Sequence, residues 1–370
     1  MKTRAAVLRG TERDWDVVEM ELDPPKAGEV LLRFVASGMC HSDEHLRTGD
    51  LPPFKFPIVG GHEGAGIVEE VGPGVTRLAK GDHVVTSFLP SCGHCRWCAT
   101  GHSNLCDLGA NLLAGCLPDG TYRFHLDGED VGAMCMLGTF SNHAVVSENS
   151  AVKIAEDMPL DKACLIGCGV PTGFGSAVKT GGVEVGDTVV IYGIGGIGIN
   201  SVQGAALAGA RNIIAVDPVA FKREKAEELG ATHSASSAEE AAAIALDVTQ
   251  GVGADKAIVT AGVVNSEIVL NAFNTIRKAG TVVVTGLANM EHNLEIPSSF
   301  LTLFEKTVKG SLFGSSDPFA DIPKMVELYR SGDLKLDELI TKTYTLDQIN
   351  EGYQDMLDGK NIRGVILHDS

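Results

Sequence analysis

Short apolar runs broken by glycine and proline fill residues 1–90. The runs at 30–36, 66–71 and 83–86 read as β segments, and 23–28, 72–74 and 80–82 as the turns between them. This spacing predicts a small barrel-like β domain. Residues 107–150 are long and turn-rich, and end in an apolar stretch at 134–140. From about 170 the texture changes. Continuous apolar runs at 188–192, 212–216, 256–260 and 281–285 suit strands buried on both faces. Helical patterns at 199–210, 222–229, 236–246 and 266–278 alternate with them. That alternation predicts a parallel, doubly wound α/β sheet. In the tail, 323–330 and 346–357 look helical and 363–367 looks like a final strand. The pattern alone does not say which domain the tail joins.

At 370 residues, two domains are expected. A content of 44% hydrophobic and 21% charged residues is that of a soluble globular chain. The net charge of −18 argues against nucleic acid or an anionic membrane as partner. No apolar run is long enough to span a bilayer, and Arg9 and Gly10 interrupt the N-terminal run before it can serve as an export signal. A cytoplasmic protein is expected. Nine cysteines then point to reduced thiols and metal ligation rather than a disulfide framework.

Cys92, Cys95, Cys98 and Cys106 follow one another at intervals of two, two and seven intervening residues. Four thiolates on one excursion of chain can wrap a single tetrahedral ion, which predicts a closed structural zinc site. Disulfides, free thiols or an iron–sulfur cluster are the alternatives that this spacing leaves open. His94 and His102 are surplus to it, and Cys116, Cys135 and Cys164 read as small buried apolar residues.

Cys40, His62 and Cys168 are a second set. Each taken singly suits a core residue as well as a ligand. Together, two thiolates and one imidazole leave a tetrahedral zinc with one open position, the arrangement of a catalytic site. Ser42 and His45 are candidates for a proton relay. Asp43 is placed to orient the His62 ring, and Glu63 to stand behind the metal or meet it transiently.

Gly193-Ile194-Gly195-Gly196-Ile197-Gly198 follows a buried strand and opens a helix, and Asp217 stands 19 residues beyond the last glycine at a strand end. This context predicts a dinucleotide site with its phosphates at the helix N-terminus. Asp217 would accept bonds from the adenosine ribose and repel a 2′-phosphate. No arginine stands at 218–221, so NAD is expected over NADP. Open-site zinc with NAD points to hydride transfer from an alcohol.

In this order of motifs the chain resembles the zinc-dependent medium-chain alcohol dehydrogenases over nearly its whole length. The resemblance implies a GroES-like β-barrel catalytic domain from 1–169 and 313–370, carrying a structural zinc lobe at 92–106. It places a Rossmann NAD-binding domain at 170–312. It implies two zinc ions and NAD, with Cys40, His62 and Cys168 on the catalytic ion, Glu63 behind it, and Ser42 and His45 as relay. Thr172 would meet the nicotinamide, Asp217 and Lys222 the adenosine ribose, and His41 and Arg363 the pyrophosphate, with Phe313 a further cofactor-binding residue. Leu51, Phe88, Met134 and Cys135 match the substrate-pocket wall. The long 107–140 segment is similar to that of dimeric animal-type members, with a tetramer as the other arrangement. Residues 119–124 are similar to those of glutathione-dependent formaldehyde dehydrogenases. Ala110 and Leu51, however, stand where those enzymes carry charged residues. A nearer likeness is to actinobacterial alcohol dehydrogenases that retain their nicotinamide and are recycled by a nitroso acceptor. Primary alcohols are the expected substrates, with a thiol adduct of formaldehyde as the alternative. A non-enzymatic zinc module is disfavoured by the intact ligand set.

Overall fold

The computed structural model describes every residue except Phe54, Asn289 and Ser370. The first unit comprises Met1–Cys168, Asp317–Gly332 and Leu336–Ser370, and the second Gly169–Ser316 and Asp333–Lys335. Against the expected division, Gly169, Phe313–Ser316 and Asp333–Lys335 fall in the second unit. Two contacts explain the shift. The Gln203 amide accepts from Lys335 N at 2.8 Å and donates to Lys335 O at 3.1 Å. Gly314 lies so close to Gly175 that a Cβ on it would stand 2.7 Å from the Gly175 Cα.

In the first unit, Lys2–Leu8, Asp16–Leu22, Phe124–Leu126, Glu129–Ala133 and Ile58–Val59 close a barrel. A second sheet runs Ala151–Lys153, His83–Thr86, Glu63–Val71, Glu29–Gly38, Arg363–Leu367, Ile340–Tyr344, with His143–Ser147 also on the Glu29–Gly38 strand. That central strand is buried along nearly all its length, and Val30, Leu32 and Phe34 pack with Val68, Val84 and Val146. The tail joins this unit because Arg363–Leu367 pairs antiparallel with residues 36–38. Its helices begin elsewhere than expected. One is Pro318–Arg330, started by Asp317, whose carboxylate accepts from Phe319 N at 2.9 Å. The other is Ile349–Leu357, preceded by a separate turn closed by a Thr345–Gln348 capping box.

The β reading of 1–90 missed one helix, His41–Thr48, which ends on Gly49 at φ 83°. Its polar sequence carries no apolar stripe. Glycine there adopts the left-handed cap conformation at no steric cost.

The second unit is a parallel sheet in the order His233–Ala235, Asn212–Val216, Thr188–Tyr192, Ala254–Val259, Ile276–Val284, Thr307–Gly310. The helix expected at 266–278 is Ser266–Thr275. Ile276 is extended, Arg277 Nε is held by Asp255 Oδ1 at 2.6 Å, and the strand has already begun.

Candidate active site

Cys40 sits between the Glu29–Gly38 strand and the His41–Thr48 helix, His62 immediately before Glu63–Val71, and Cys168 after a short turn at Cys164–Gly167. All three are buried. The ligand atoms of Cys40, His62, Glu63 and Cys168 lie within 4.8 Å of one another. The approach of His62 depends on a glycine. Gly61 has φ 87°, and a Cβ there would lie 2.5 Å from Phe140 N.

The donor set fits a metal ion. His62 Nδ1 lies 3.3 Å from Asp43 Oδ1, which also accepts from Gly61 N at 2.9 Å. Nδ1–H donation to that carboxylate fixes the ring and directs Nε2 into the cluster. Among the described residues Nε2 is buried with no hydrogen-bond partner, the state of an imidazole lone pair awaiting a cation. The hydrogen bond from Cys168 holds the Cys40 thiol well below the usual thiol range, helped by His62 and Arg363. The same shared proton and burial push Cys168 up. Burial opposes charge on His62, but Asp43 outweighs it and raises the imidazole. Cys40, His62 and Cys168 would give up these protons to hold a divalent cation, as binding to thiol and imidazole donors requires.

Behind the cluster, Arg363 Nη2 pairs with Glu63 Oε2 and donates to Met39 O at 3.1 Å. Burial pushes the Glu63 carboxyl up to about 7, against the pull of Arg363. Arg363 was expected at a pyrophosphate. The structure buries it, with Nη2 paired to Glu63 and Nε without a hydrogen-bond partner among the described residues. Glu63 lies 300 residues away in sequence, and no local pattern signals the pairing.

Ser42 Oγ lies 3.7 Å from Cys40 Sγ. His45, three residues on and so on the same helix face, is buried. Its Nδ1 stands 3.2 Å from Asp50 Oδ2, and its ring is 5.0 Å from that of His41. Asp50 is a residue the sequence reading missed. Its acid type five residues past a histidine was the one signal available. Phe88 meets the His62 ring edge-on at 5.8 Å. Leu51 is half-buried and its N donates to His45 O at 3.0 Å. Met134 belongs to the core with Trp15, Leu46 and Phe140, and Cys135 packs on that core with φ 53°. Burial pushes the Cys135 thiol up to about 12, so it stays neutral.

The second thiol set is also brought together. The Cys92, Cys95, Cys98 and Cys106 sulfurs lie within 4.8 Å of one another. None of the cysteines is in a disulfide. Cys92 N donates to Cys106 Sγ and Cys95 N to Cys92 Sγ, both at 3.3 Å. Backbone donation from Cys98 and Asp107 lowers the Cys95 thiol to about 6, whereas burial pushes the Cys106 thiol up to about 12.

In the second unit, Gly193 (φ 93°) turns the chain out of Thr188–Tyr192, and Gly195 caps the Gly196–Leu207 helix. A Cβ on Gly198 would collide with Gly193 O and stand 2.8 Å from Thr260 Oγ1, whereas one on Gly195 would meet nothing within 4 Å. The loop is therefore closed on its packing side and open at the helix start, where Ile197 follows Gly196. A phosphate fits there. The Asp217 carboxylate accepts from Ile194 N and Val219 N, both at 2.9 Å. Lys222 lies in the first turn of the Ala220–Glu228 helix. Residues 218–221 hold no arginine, but Arg223 Nη1 donates to Asp217 O at 2.7 Å and Pro218 O at 3.0 Å. Thr172 and Phe313 are both buried.

The fold and the two thiol sites define a zinc- and nicotinamide-dependent oxidoreductase. Residues 26–156 match the alcohol dehydrogenase GroES-like domain and 196–331 the zinc-binding dehydrogenase domain. The chain is 60% identical to an NDMA-dependent alcohol dehydrogenase of Amycolatopsis methanolica, with 100% of both chains covered. It is 56% identical, over the same full coverage, to a putative alcohol dehydrogenase D of Mycobacterium tuberculosis. A solved benzyl alcohol dehydrogenase of Acinetobacter calcoaceticus superposes with a TM-score of 0.93 at 31% identity, again over all of both chains. The chain belongs to the zinc-dependent medium-chain alcohol dehydrogenase family. No helix among the described residues is long and apolar enough to cross a membrane.

Proposed function

We propose that this protein oxidises primary, fairly apolar alcohols to aldehydes, reversibly, with NAD as hydride acceptor and two zinc ions per chain. The observation that carries the reading is the His62 Nε2 atom, buried beside two cysteine sulfurs and without a hydrogen-bond partner among the described residues. Zinc, when bound, supplies Lewis acidity that lowers the pKa of a hydroxyl, and the nicotinamide supplies the hydride acceptor. Cys40, Cys168 and His62 would hold the catalytic ion, and Cys92, Cys95, Cys98 and Cys106 the structural one. Asp43 keeps His62 in the tautomer that presents Nε2. Ser42, beside Cys40, takes the hydroxyl proton, and His45, braced by Asp50, passes it toward solvent. Phe88 packs on the His62 ring and keeps water from that side.

Asp217 supports NAD over NADP. Because Arg223 already lies against the Asp217 backbone, Asp217→Ala should admit a 2′-phosphate. The ratio of kcat/KM for NADP over NAD should rise by roughly 10²-fold, of the order expected for one repulsive carboxylate replaced by one charge-assisted contact. Coenzyme kinetics check this, and an unchanged ratio would show that Arg223 cannot turn outward.

A homo-oligomer, a dimer in the first instance, is supported by the sheet edge. Thr307–Gly310 is the last strand, and Leu294, Phe300, Leu303 and Leu312 near it in sequence are exposed. Light scattering on the eluted protein would measure the mass directly. Free thiols throughout suit a reducing cytoplasm.

Benzyl alcohol and ethanol are the substrates for the deciding assay. NADH accumulation with added NAD means exchangeable cofactor. Reduction of a nitroso acceptor without added NAD means that the dinucleotide stays bound. Activity appearing only when a thiol is supplied would replace this reading with the formaldehyde-adduct one.

A further inference from the structure

Phe313, Gly314 and Ser315 have φ of 56°, 62° and 54°. Single residues visit the left-handed region, but three in a row, two of them with side chains, form a left-handed turn that L-residues disfavour. Such a turn persists only where its surroundings over-determine it. Two contacts close it, Ser315 N to Leu312 O at 3.0 Å and Ser316 N to Phe313 O at 3.1 Å. Gly314 is pressed on the Gly169–Gly175 helix, and a Cβ on it would lie 2.8 Å from Thr172 O.

A chain of hydroxyls runs from the turn to the same helix. Ser315 Oγ is 2.8 Å from Thr180 Oγ1, which is 2.9 Å from Ser311 Oγ, which is 2.9 Å from Ser176 Oγ. Ser176 Oγ donates to Thr172 O at 2.6 Å and accepts from Thr285 Oγ1 at 2.9 Å. Each hydroxyl has one proton, so the order is fixed. Ser176 spends its proton on Thr172 O. Ser311 must therefore donate to Ser176, Thr180 to Ser311, and Ser315 to Thr180. The chain is polarised in one direction, from the turn to the Thr172 carbonyl, and bonds aligned in this way strengthen one another. Ser176 and Thr180 are the two ends of a widened π-helical turn, a feature that helices keep mostly at functional positions.

We propose that the Ser315–Thr180–Ser311–Ser176 chain is a positioning device for the nicotinamide end of the cofactor. Through it, Phe313 and Thr172 are held in register by a turn that would otherwise relax. The proposal rests on the reading that the second unit binds NAD with Thr172 at its nicotinamide and Phe313 among the cofactor-binding residues. Thr180 is the central link, because its hydroxyl joins both Ser311 and Ser315. Thr180→Val keeps the shape and removes both bonds.

The test uses the full-length, zinc-loaded enzyme. NADH release is followed by fluorescence during a chase with excess NAD, and AMP affinity is measured by calorimetry. Thr180→Val should release NADH about tenfold faster, the loss of two modest hydrogen bonds. AMP, which lacks the nicotinamide, should bind within about twofold of wild type. Thr180→Ser should restore slow release. Unchanged NADH release overturns the proposal. An equal loss of AMP affinity also overturns it, by showing that the hydroxyls only support the sheet. If Thr180→Val does not fold, Ser315→Ala at the exposed end of the chain carries the same comparison. Wild-type protein that binds AMP but no NADH removes the reading beneath the proposal, and the proposal with it.

Discussion

His62→Ala is expected to lower kcat/KM for benzyl alcohol by about 10³-fold or more, while NADH affinity changes little. The magnitude follows from losing a Lewis acid that contributes several kcal/mol, at about 1.4 kcal/mol per factor of ten. His62 is one of three side chains whose soft donor atoms converge with Glu63 within 4.8 Å. Its Nε2 has no other partner among the described residues, so removing the ring removes a ligand, together with the Nδ1 bond to Asp43 and the edge contact with Phe88. The dinucleotide loop, Gly193 to Gly198, belongs to the other unit and does not depend on it. Metal analysis should show one zinc lost and one kept. Cys98→Ser should do the reverse, unsettling the Cys92–Cys106 excursion while the remaining folded enzyme turns over normally. A His62→Ala enzyme of near wild-type activity would falsify the ligand assignment.

Arg363→Met should cost about 3–5 kcal/mol of stability, the range for stripping one partner from a buried ion pair. The Arg363 and Glu63 side chains are 3% and 0% exposed, so water cannot replace the guanidinium. Gly38 makes room for the pair, since a Cβ there would stand 3.0 Å from Arg363 Nη2. The double variant Glu63→Gln, Arg363→Met should recover part of the loss, because it leaves no uncompensated charge. Guanidinium unfolding with an unchanged m-value is the measurement. A single-variant cost below about 1 kcal/mol, the size of an exposed pair, would mean that the pair is hydrated in solution.

Much of the chemistry was legible because it is written in short spacings. Four thiols inside 92–106 have few ways to arrange themselves other than around one ion. The glycines at 193, 195 and 198 are demanded by contacts a Cβ would violate or by the helix start they open. Chain direction and apolar runs were enough for the parallel sheet. What escaped was decided by distant partners or by backbone geometry. The His41–Thr48 helix has no apolar stripe, since of its buried side chains only Leu46 is apolar. Arg363 matched a phosphate ligand by resemblance alone, and its pairing with Glu63 has no local signal in the sequence. Arg223 lay two residues outside the window in which an arginine was sought. The helix expected to reach 278 stopped at Thr275, where Asp255 holds Arg277 to the neighbouring strand. Nothing in Phe313-Gly314-Ser315 beyond its glycine announces a left-handed turn, and hydroxyl chains have no sequence period.

The strand that delivers Arg363 has a consequence for biosynthesis. Glu63 enters its strand early, but its counter-ion leaves the ribosome 300 residues later. By then Gly169–Ser316 and Asp333–Lys335, the whole of the second unit, have already been made. Domains fold as units during synthesis, so the dinucleotide unit can mature while the metal-binding unit still carries an unneutralised carboxylate in its core. Arrested chains that expose residues through 350 should therefore protect the inserted unit from protease and leave residues 1–168 open to cleavage. Extending the exposed segment past residue 367 should close the first unit in a single step, so that zinc capture comes after the nucleotide fold is already in place.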